Sequence, residues 1–190
     1  MDVEYLSSPI YKLSWEILEK DCITLAKKIK KSGVRLDEII SISRGGVIVA
    51  RLLSDLLNLP ISHIAIESYV NLKREKEPVI TQFSSRVFNN EIILLVDELS
   101  DSGKTFIKAF SYLSGLSIQK IITASPYIKP HTAHVPNFFV RKIDAWVVFP
   151  YEIRETQEAI LRQFGEAKGK EKIREIGFVA WEILDKFLLQ

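Results

Sequence analysis

Three acidic residues and several hydroxyl residues follow one apolar run in the stretch IILLVDELSDSGKTF, residues 92 to 106. Asp97 and Glu98 come directly after the apolar residues, and Asp101 lies three positions further on. Apolar runs of this kind are typical of strands buried on both faces of a parallel sheet. Because ligands bind beyond the carboxyl ends of such strands, these acids are candidate functional residues.

The end of this stretch is close to a nucleotide P-loop but lacks its first glycine. The pattern G-x-x-x-x-G-K-[ST] matches at Gly103 and Lys104, whereas Glu98 occupies the position of the first glycine. A carboxylate there would face the phosphates, which excludes a P-loop. A tight turn at Gly103 before a helix still presents free N–H groups and the positive end of the helix dipole. With the hydroxyls of Ser102 and Thr105, this turn is predicted to bind one phosphate.

The two adjacent acids call for a different ligand group. Asp97 and Glu98 cannot lie against an anion, so we expect them to bind sugar hydroxyls or a cation close to the phosphate. Phosphate, polyol and metal together are the chemistry of a phosphorylated ribose. The alternative, charged residues that merely end a strand, does not explain why the next seven residues also fit this chemistry.

The sequence LLVDELSDSGKT resembles the 5-phosphoribosyl pyrophosphate (PRPP) motif of type I phosphoribosyltransferases. The match comprises a hydrophobic strand, two acids, two intervening residues, Asp, a hydroxyl residue, Gly, Lys and Thr. One departure is the order Asp97-Glu98, where the family usually has Asp-Asp or Glu-Asp. The resemblance implies Mg²⁺ at Glu98, catalysis by Asp101, and PRPP binding by Asp97, Glu98, Asp101, Ser102, Gly103, Lys104 and Thr105.

Two further segments resemble parts of the same family. SISRGGVIVARLLSDLL is similar to the pyrophosphate loop of the bacterial-type 6-oxopurine members, which implies pyrophosphate binding by Ser43, Arg44, Gly45 and Gly46. ESYV is similar to the flexible catalytic loop, which implies that Ser68 and Tyr69 belong to a lid. On its own, the Arg-Gly-Gly sequence is common in turns, and Tyr69 could equally pack in a core.

The expected base site comes from two segments near residues 126 to 152. SPYIKP has its lysine before proline, as in the 6-oxopurine enzymes, so the resemblance implies that Lys129 meets the purine O6. DAWVVFPYE is similar to the segment that stacks on the base, which points to Trp146, with the backbone of Val147 reading the ring edge. The ordinary alternatives are a solvated loop lysine and a core aromatic residue.

Strands and helices alternate along the chain, which predicts an α/β fold with a mainly parallel central sheet flanked by helices. Sites at residues 44, 97 and 126 each follow a predicted strand, so they should gather at one sheet edge. The predicted elements are a helix over 14–32 that Ser14 caps, a strand EIISIS, a helix VIVARLLSDLLN, strands over 61–67, 91–96, 119–126 and 143–150, and a helix KTFIKAFSYLSG.

The resemblance covers roughly residues 10 to 152 and implies the type I phosphoribosyltransferase fold. We therefore predict a phosphoribosyltransferase domain over 1–152, with a base-recognition segment over 126–152, and a C-terminal helical extension over 153–190. The extension reads as two helices around Gly165 and Gly169. The long polar stretch that begins at Ser68 is predicted to be a mobile excursion.

Composition excludes several other classes of protein. The 190 residues carry a formal net charge of +2, too small to imply a nucleic-acid or membrane partner. No apolar run approaches the roughly 18 residues of a membrane span, so the default location is cytoplasmic. The one cysteine, Cys22, reads as a core residue. His131 and His134 have a metal-like spacing, but without further ligands they are expected to be surface loop residues.

The implied reaction is purine salvage. It would transfer the 5-phosphoribosyl group from PRPP to N9 of guanine, xanthine or hypoxanthine, releasing pyrophosphate and a nucleoside 5′-monophosphate such as GMP. The resemblance also implies a homodimer. Two alternatives stay open: a phosphoribosyltransferase for another base, and a non-catalytic regulatory protein of the same fold that senses PRPP or purines.

Overall fold

The computed structural model describes residues 9–70 and 73–177. By its internal contacts the chain divides into a larger unit, Leu18–Ile143, and a smaller unit that combines Met1–Ile17 with Asp144–Gln190. The domain boundary predicted at residue 152 stays a prediction. No described helix is long and apolar enough to cross a membrane.

Helices and strands alternate as the sequence predicted. The elements are β1 (Ile10–Lys12), α1 (Trp15–Lys31), β2 (Glu38–Ser43), α2 (Gly46–Leu57), β3 (Ile61–Val70), β4 (Lys73–Gln82), β5 (Glu91–Val96), β6 (Leu99–Ser100), α3 (Lys104–Leu113), β7 (Ile118–Ile128), β8 (Phe138–Lys142), β9 (Trp146–Val148), α4 (Ile153–Phe164) and α5 (Glu166–Glu175). The predicted cap of the first helix is confirmed, because the Ile17 N–H donates to Ser14 Oγ at 3.2 Å.

The larger unit is built on one sheet with the strand order β4-β3-β2-β5-β7-β6, and β8 also pairs with β7. All of these pairings are parallel except β3 with β4, which is antiparallel. The prediction of a mainly parallel α/β sheet is therefore confirmed.

The central strands of the sheet are buried on both faces, and their residues are therefore mostly apolar. Helix α2 packs against β2, β3 and β5, and α3 packs against β3, β4 and β7. One core cluster includes alternate residues of β2 and β5 and the inner face of α3: Ile40, Ile42, Ile93, Leu95, Phe106, Ala109 and Leu113. The intervening Ile39 and Leu94 are also fully buried, which explains the continuous apolar runs of these strands.

Several elements differ from the sequence prediction. The polar stretch that begins at Ser68 was expected to be a mobile excursion, but its described residues include the end of β3 and all of β4, which pairs antiparallel with β3. Its sequence KREKEPVITQ hides the strand, because β4 pairs on one side only and charges are common on edge strands. The short strands β1, β6 and β8 were not predicted. Gly169 lies inside α5 rather than between helices, where it packs against Leu161.

A buried polar network joins α1 to β7 and β8. Asp21 is 2% exposed, and it accepts hydrogen bonds from the Tyr127 hydroxyl at 3.0 Å and from Arg141 Nε and Nη2 at 2.7 and 2.9 Å. The bidentate pairing compensates the burial of the carboxylate. The neighbouring Cys22 is buried, and burial raises the pKa of its thiol to about 12, so the predicted core role is confirmed.

The smaller unit has its own sheet and core. Strand β1 pairs in parallel with β9, and α4 packs against α5. Its apolar cluster is centred on Val148, Ile160 and Ile173. The two helices predicted after Pro150 are thus present.

Candidate active site

The predicted site residues of the larger unit lie at one edge of its sheet. Strands β2, β5 and β7 are neighbours in the sheet and run in parallel. Arg44, Asp97 and Lys129 directly follow the last residues of these three strands. The expectation that these segments gather at one edge is confirmed and follows from the parallel topology, although β7 continues two residues beyond its predicted end at 126.

Asp97 and Glu98 form a crowded acid pair at the end of β5. Asp97 is 7% exposed, and its Oδ1 accepts a hydrogen bond from the Glu98 N–H at 3.0 Å. Glu98 Oε2 is buried and has no hydrogen-bond partner in the part of the chain that the structure describes. Burial raises the pKa of both carboxyl groups, and the charge of Asp97 raises that of Glu98 further, whereas Arg44 opposes this.

The loop after β2 approaches this pair closely. The Ser43–Arg44 peptide bond is cis, Arg44 is exposed, and α2 begins at Gly46. A Cβ added at Gly45 would overlap the Glu98 carboxylate, and one added at Gly46 would lie 2.8 Å from the Val96 carbonyl oxygen. Both glycines therefore allow the loop to lie against the acid pair.

The turn over residues 101–103 leads into α3 as predicted. Gly103 has a φ of 80°, in the left-handed region that favours glycine, and α3 begins at Lys104. The Lys104 N–H donates to Ser102 Oγ at 3.4 Å, and Lys104 Nζ lies 3.5 Å from Glu77 Oε1 of β4. The sequence predicts a phosphate site at this N-terminus of α3, and that role stays a prediction.

The segment over residues 129–134 forms hydrogen bonds with this turn and with the residue before it. The Lys129 N–H donates to the Ser100 carbonyl and the Ala133 N–H donates to the Ser102 carbonyl, both at 3.0 Å. Ser100 Oγ donates to the His134 carbonyl at 2.7 Å. These bonds join the candidate phosphate turn to the candidate base residue Lys129.

Comparison with known proteins decides the family. The family model described as the phosphoribosyl transferase domain matches residues 13–156. The chain belongs to the phosphoribosyltransferase family. The predicted type I fold and enzyme class are confirmed at this level, and the acid pair, glycine loop and phosphate turn lie in the matched region.

Individual relatives agree with this assignment. A xanthine-guanine phosphoribosyltransferase from Idiomarina loihiensis is 27% identical over 146 residues, which cover 74% of this chain and 86% of the relative. The crystal structure of a purine phosphoribosyltransferase from Pyrococcus horikoshii Ot3 is 30% identical, with a TM-score of 0.67 over 75% of this chain and 93% of its own. A xanthine-guanine-hypoxanthine phosphoribosyltransferase from Helicobacter pylori is 22% identical, with a TM-score of 0.66 over 79% of this chain and 98% of its own, and shows the fold alone.

The two loop histidines of this phosphoribosyltransferase have contacts that the sequence did not reveal. His131 Nε2 lies 3.0 Å from Asp101 Oδ1. The His134 ring stacks on Phe106 at 4.9 Å and its Nε2 lies 3.2 Å from Thr123 Oγ1. Burial lowers the pKa of His134. Among the described residues no group of three or more possible ligands could hold a metal ion.

The remaining predicted residues of the phosphoribosyltransferase lie in strands or at their ends. Lys129 is 9% exposed at the end of β7. Trp146 and Val147 belong to β9 of the smaller unit. Trp146 packs against the apolar cluster of this unit, and its backbone N–H donates to the Pro9 carbonyl at 2.7 Å. Ser68 and Tyr69 lie in β3 rather than in a loop. Their predicted roles stay predictions.

Proposed function

We propose that this phosphoribosyltransferase transfers the 5-phosphoribosyl group from PRPP to N9 of a 6-oxopurine. The acceptor would be guanine, xanthine or hypoxanthine, and the products pyrophosphate and a nucleoside 5′-monophosphate. The observation that carries the proposal is the acid pair at the end of β5, close in sequence to the Gly103 turn that begins α3. Purine-specific names of the Idiomarina and Pyrococcus relatives support the choice of base.

The acid pair favours a ligand with hydroxyl groups and an associated cation. Burying two neighbouring carboxylates away from water costs free energy unless hydrogen-bond donors or a positive charge compensate their charge. Asp97 would accept hydrogen bonds from the ribose hydroxyls. The turn at 101–105 would bind the 5′-phosphate through backbone N–H groups and the hydroxyls of Ser102 and Thr105, with Lys104 adding positive charge.

The donors present fit the Mg²⁺ that the family implies. Glu98 offers a buried carboxylate oxygen without a partner among the described residues, and Mg²⁺ commonly binds one or two carboxylates together with substrate oxygens. Glu98 would hold the ion with oxygens of PRPP. When bound, the ion would neutralise charge on the pyrophosphate.

The glycine loop is placed to receive the leaving group. Arg44 supplies a charged fork of donors, and the absence of side chains at Gly45 and Gly46 gives an oxyanion access to the backbone. As the bond between C1′ and the pyrophosphate oxygen breaks, its electron pair goes to the pyrophosphate. Donors that face this developing charge lower the barrier.

Asp101 is the candidate proton acceptor. Purine N9 forms the new bond to C1′, and a purine that carries its proton on N7 must then lose it. The Asp101 carboxylate would accept that proton, a role that side chains of this kind perform by general base catalysis. The side chain is partly exposed beside the phosphate turn, so substrate has access to it.

Base selection is assigned to three residues. Lys129 would donate to the purine O6, which is an acceptor in 6-oxopurines, whereas adenine presents a donor there and is disfavoured. The family resemblance assigns stacking on the ring to Trp146 and reading of its edge to the Val147 backbone, and both roles stay predictions. The lid role of Ser68 and Tyr69, which would exclude water from PRPP, belongs to the same proposal. The homodimer and the cytoplasmic location stay predictions.

The proposal is tested by incubating the protein with PRPP, Mg²⁺ and each of guanine, xanthine, hypoxanthine and adenine. Nucleotide from one or more 6-oxopurines but not from adenine is expected. PRPP binding is measured by calorimetry in the same samples. PRPP binding without product would favour another base or a sensor, and absence of both would contradict the assignment of residues 97–105.

A further inference from the structure

The ring of His131 contacts Asp101, the candidate proton acceptor. Its Nε2 lies 3.0 Å from Oδ1 of Asp101, although the two residues are 30 positions apart in the sequence. The distance is that of a good hydrogen bond. Because a protonated or suitably tautomeric imidazole donates from Nε2 and a carboxylate accepts, His131 acts as the donor.

The backbone on either side of His131 is held in place by the phosphate turn. Lys129 N–H donates to the Ser100 carbonyl and Ala133 N–H donates to the Ser102 carbonyl, both at 3.0 Å. Thr132 Oγ1 lies 2.9 Å from Ser100 Oγ. The backbone that carries His131 is thereby joined to the residues on both sides of Asp101, so the ring faces the carboxylate without a long flexible reach.

Stability does not explain this contact. The His131 side chain is 63% exposed and that of Asp101 is 31% exposed. Exposed pairs of this kind stabilise a fold by roughly 0 to 1 kcal/mol. A histidine pointed at a carboxylate for so small a gain is better explained by what the contact does to that carboxylate.

We propose that His131 is a positioning residue that orients Asp101 for proton transfer from the purine. By donating to Oδ1, His131 fixes the rotation of the carboxylate and leaves Oδ2 for the proton on purine N7. His131 does not itself touch the reacting atoms. This inference rests on the proposed function, because it assigns Asp101 the role of proton acceptor.

The chemistry requires orientation because proton transfer depends on a short, aligned contact. A small displacement of a catalytic group can cost up to about a hundredfold in rate. A freely rotating Asp101 would spend only part of its time in the productive geometry. The loss should therefore fall on kcat, since PRPP binding uses the acid pair and the phosphate turn.

The test compares His131→Ala and His131→Gln with the wild type. His131→Ala should lower kcat about tenfold and leave KM for PRPP within about twofold, because only orientation is lost. His131→Gln should recover most of kcat, since its amide nitrogen can donate from the position of Nε2. His63→Ala is the matched control, because it truncates a histidine that contacts Ser41 of β2 rather than Asp101, and it should keep kcat.

A double-substitution cycle separates positioning from an independent role. In an Asp101→Asn background, His131→Ala should produce no further loss of kcat, because the residue acts through Asp101. Additive losses, or a His131→Gln variant as impaired as His131→Ala, would overturn the inference. If the wild type is active and His131→Ala is equally active, the inference about His131 is overturned while the proposed function stands. Wild-type protein without turnover would overturn the proposed function as well.

Discussion

At the scale of residues, the chemistry depends on which carboxylates are buried and which are not. Asp97 is buried directly after the end of β5, whereas Asp101 is partly exposed in the turn over residues 101–103. The first would hold a ligand and the second would exchange a proton with it. The types and order of these residues were readable from the sequence. The partner His131 was not, because a contact across 30 positions leaves no local pattern.

Substitution of Asp101 by Asn should separate catalysis from binding. Asn keeps the shape of the side chain but accepts protons poorly, and general base catalysis is worth about a hundredfold or more. We expect kcat to fall about a hundredfold and the Kd for PRPP, measured by calorimetry, to change only a few-fold. Asp55→Asn, on the exposed side of α2, should change neither. If turnover and PRPP affinity fell together, Asp101 would be a binding residue.

His134 should make the stability of the protein depend on pH. Burial lowers its pKa below the ordinary value of 6.5, so the unfolded state binds the proton more readily. Its contribution to the free energy of unfolding is therefore fully present above pH 6.5 and is lost as the pH falls below 6.5 and through the lower pKa of the folded state. Urea denaturation at pH 7.5 and pH 5.5 should show a larger loss for the wild type than for His134→Gln. Equal losses would contradict this account.

At the scale of elements, the site is made by loops whose glycines allow them to lie close to neighbouring segments. The glycines at residues 45, 46 and 103 were recognisable in the sequence as loop and turn residues. The atoms that these glycines approach were not recognisable, because the facing groups come from residues 96–98 and from the segment over 129–134. The strand β4 was missed for a related reason, since its charged sequence pairs on one side only.

Alanine at the two loop glycines should have different effects. A Cβ at Gly45 meets the mobile end of the Glu98 side chain, so Gly45→Ala should fold normally while the displaced carboxylate lowers activity. A Cβ at Gly46 meets the backbone of Val96 and Asp97, which cannot move as easily. Gly46→Ala should therefore lose about 1 to 3 kcal/mol of stability as well as activity.

Urea denaturation and initial rates on the same samples measure both effects. Gly115→Ala, where the added Cβ would lie 3.4 Å from the nearest atom outside its chain neighbours, is the control and should change both quantities little. A Gly45→Ala variant with full activity would show that the position of Glu98 does not matter to the reaction.

The buried network at Asp21 should be important for stability. Arg141→Met leaves the Asp21 carboxylate buried with Tyr127 as its remaining network partner, and removal of one member of a buried pair is costly. Because Arg141 is half exposed, water can replace part of the lost contact, and we expect a loss of about 2 kcal/mol.

Urea denaturation checks this expectation against Arg35→Met. That substitution removes a pairing with Asp37 in which the arginine is 83% exposed, and it should cost no more than about 0.5 kcal/mol. Equal losses for the two variants would show that the buried network adds nothing to stability.

At the scale of the whole molecule, topology explains why the meeting of three candidate site segments was predictable. Adjacent parallel strands bring their carboxyl ends to one edge, so three motifs separated by up to 85 positions, at Arg44, Asp97 and Lys129, meet without further information. Pairing of β1 with β9 was not predictable, because each strand has only three residues. Strand β9, for which the sequence predicts a role in base recognition, thus belongs to a unit whose composition the sequence did not reveal.

The most direct test of the central claim is the initial rate of pyrophosphate release from PRPP and Mg²⁺, with and without a 6-oxopurine. The account predicts release that depends on guanine, xanthine or hypoxanthine, matches the nucleotide formed, and is absent with adenine. Pyrophosphate release with adenine but with none of the 6-oxopurines, or no release with any of the four bases, would contradict the account.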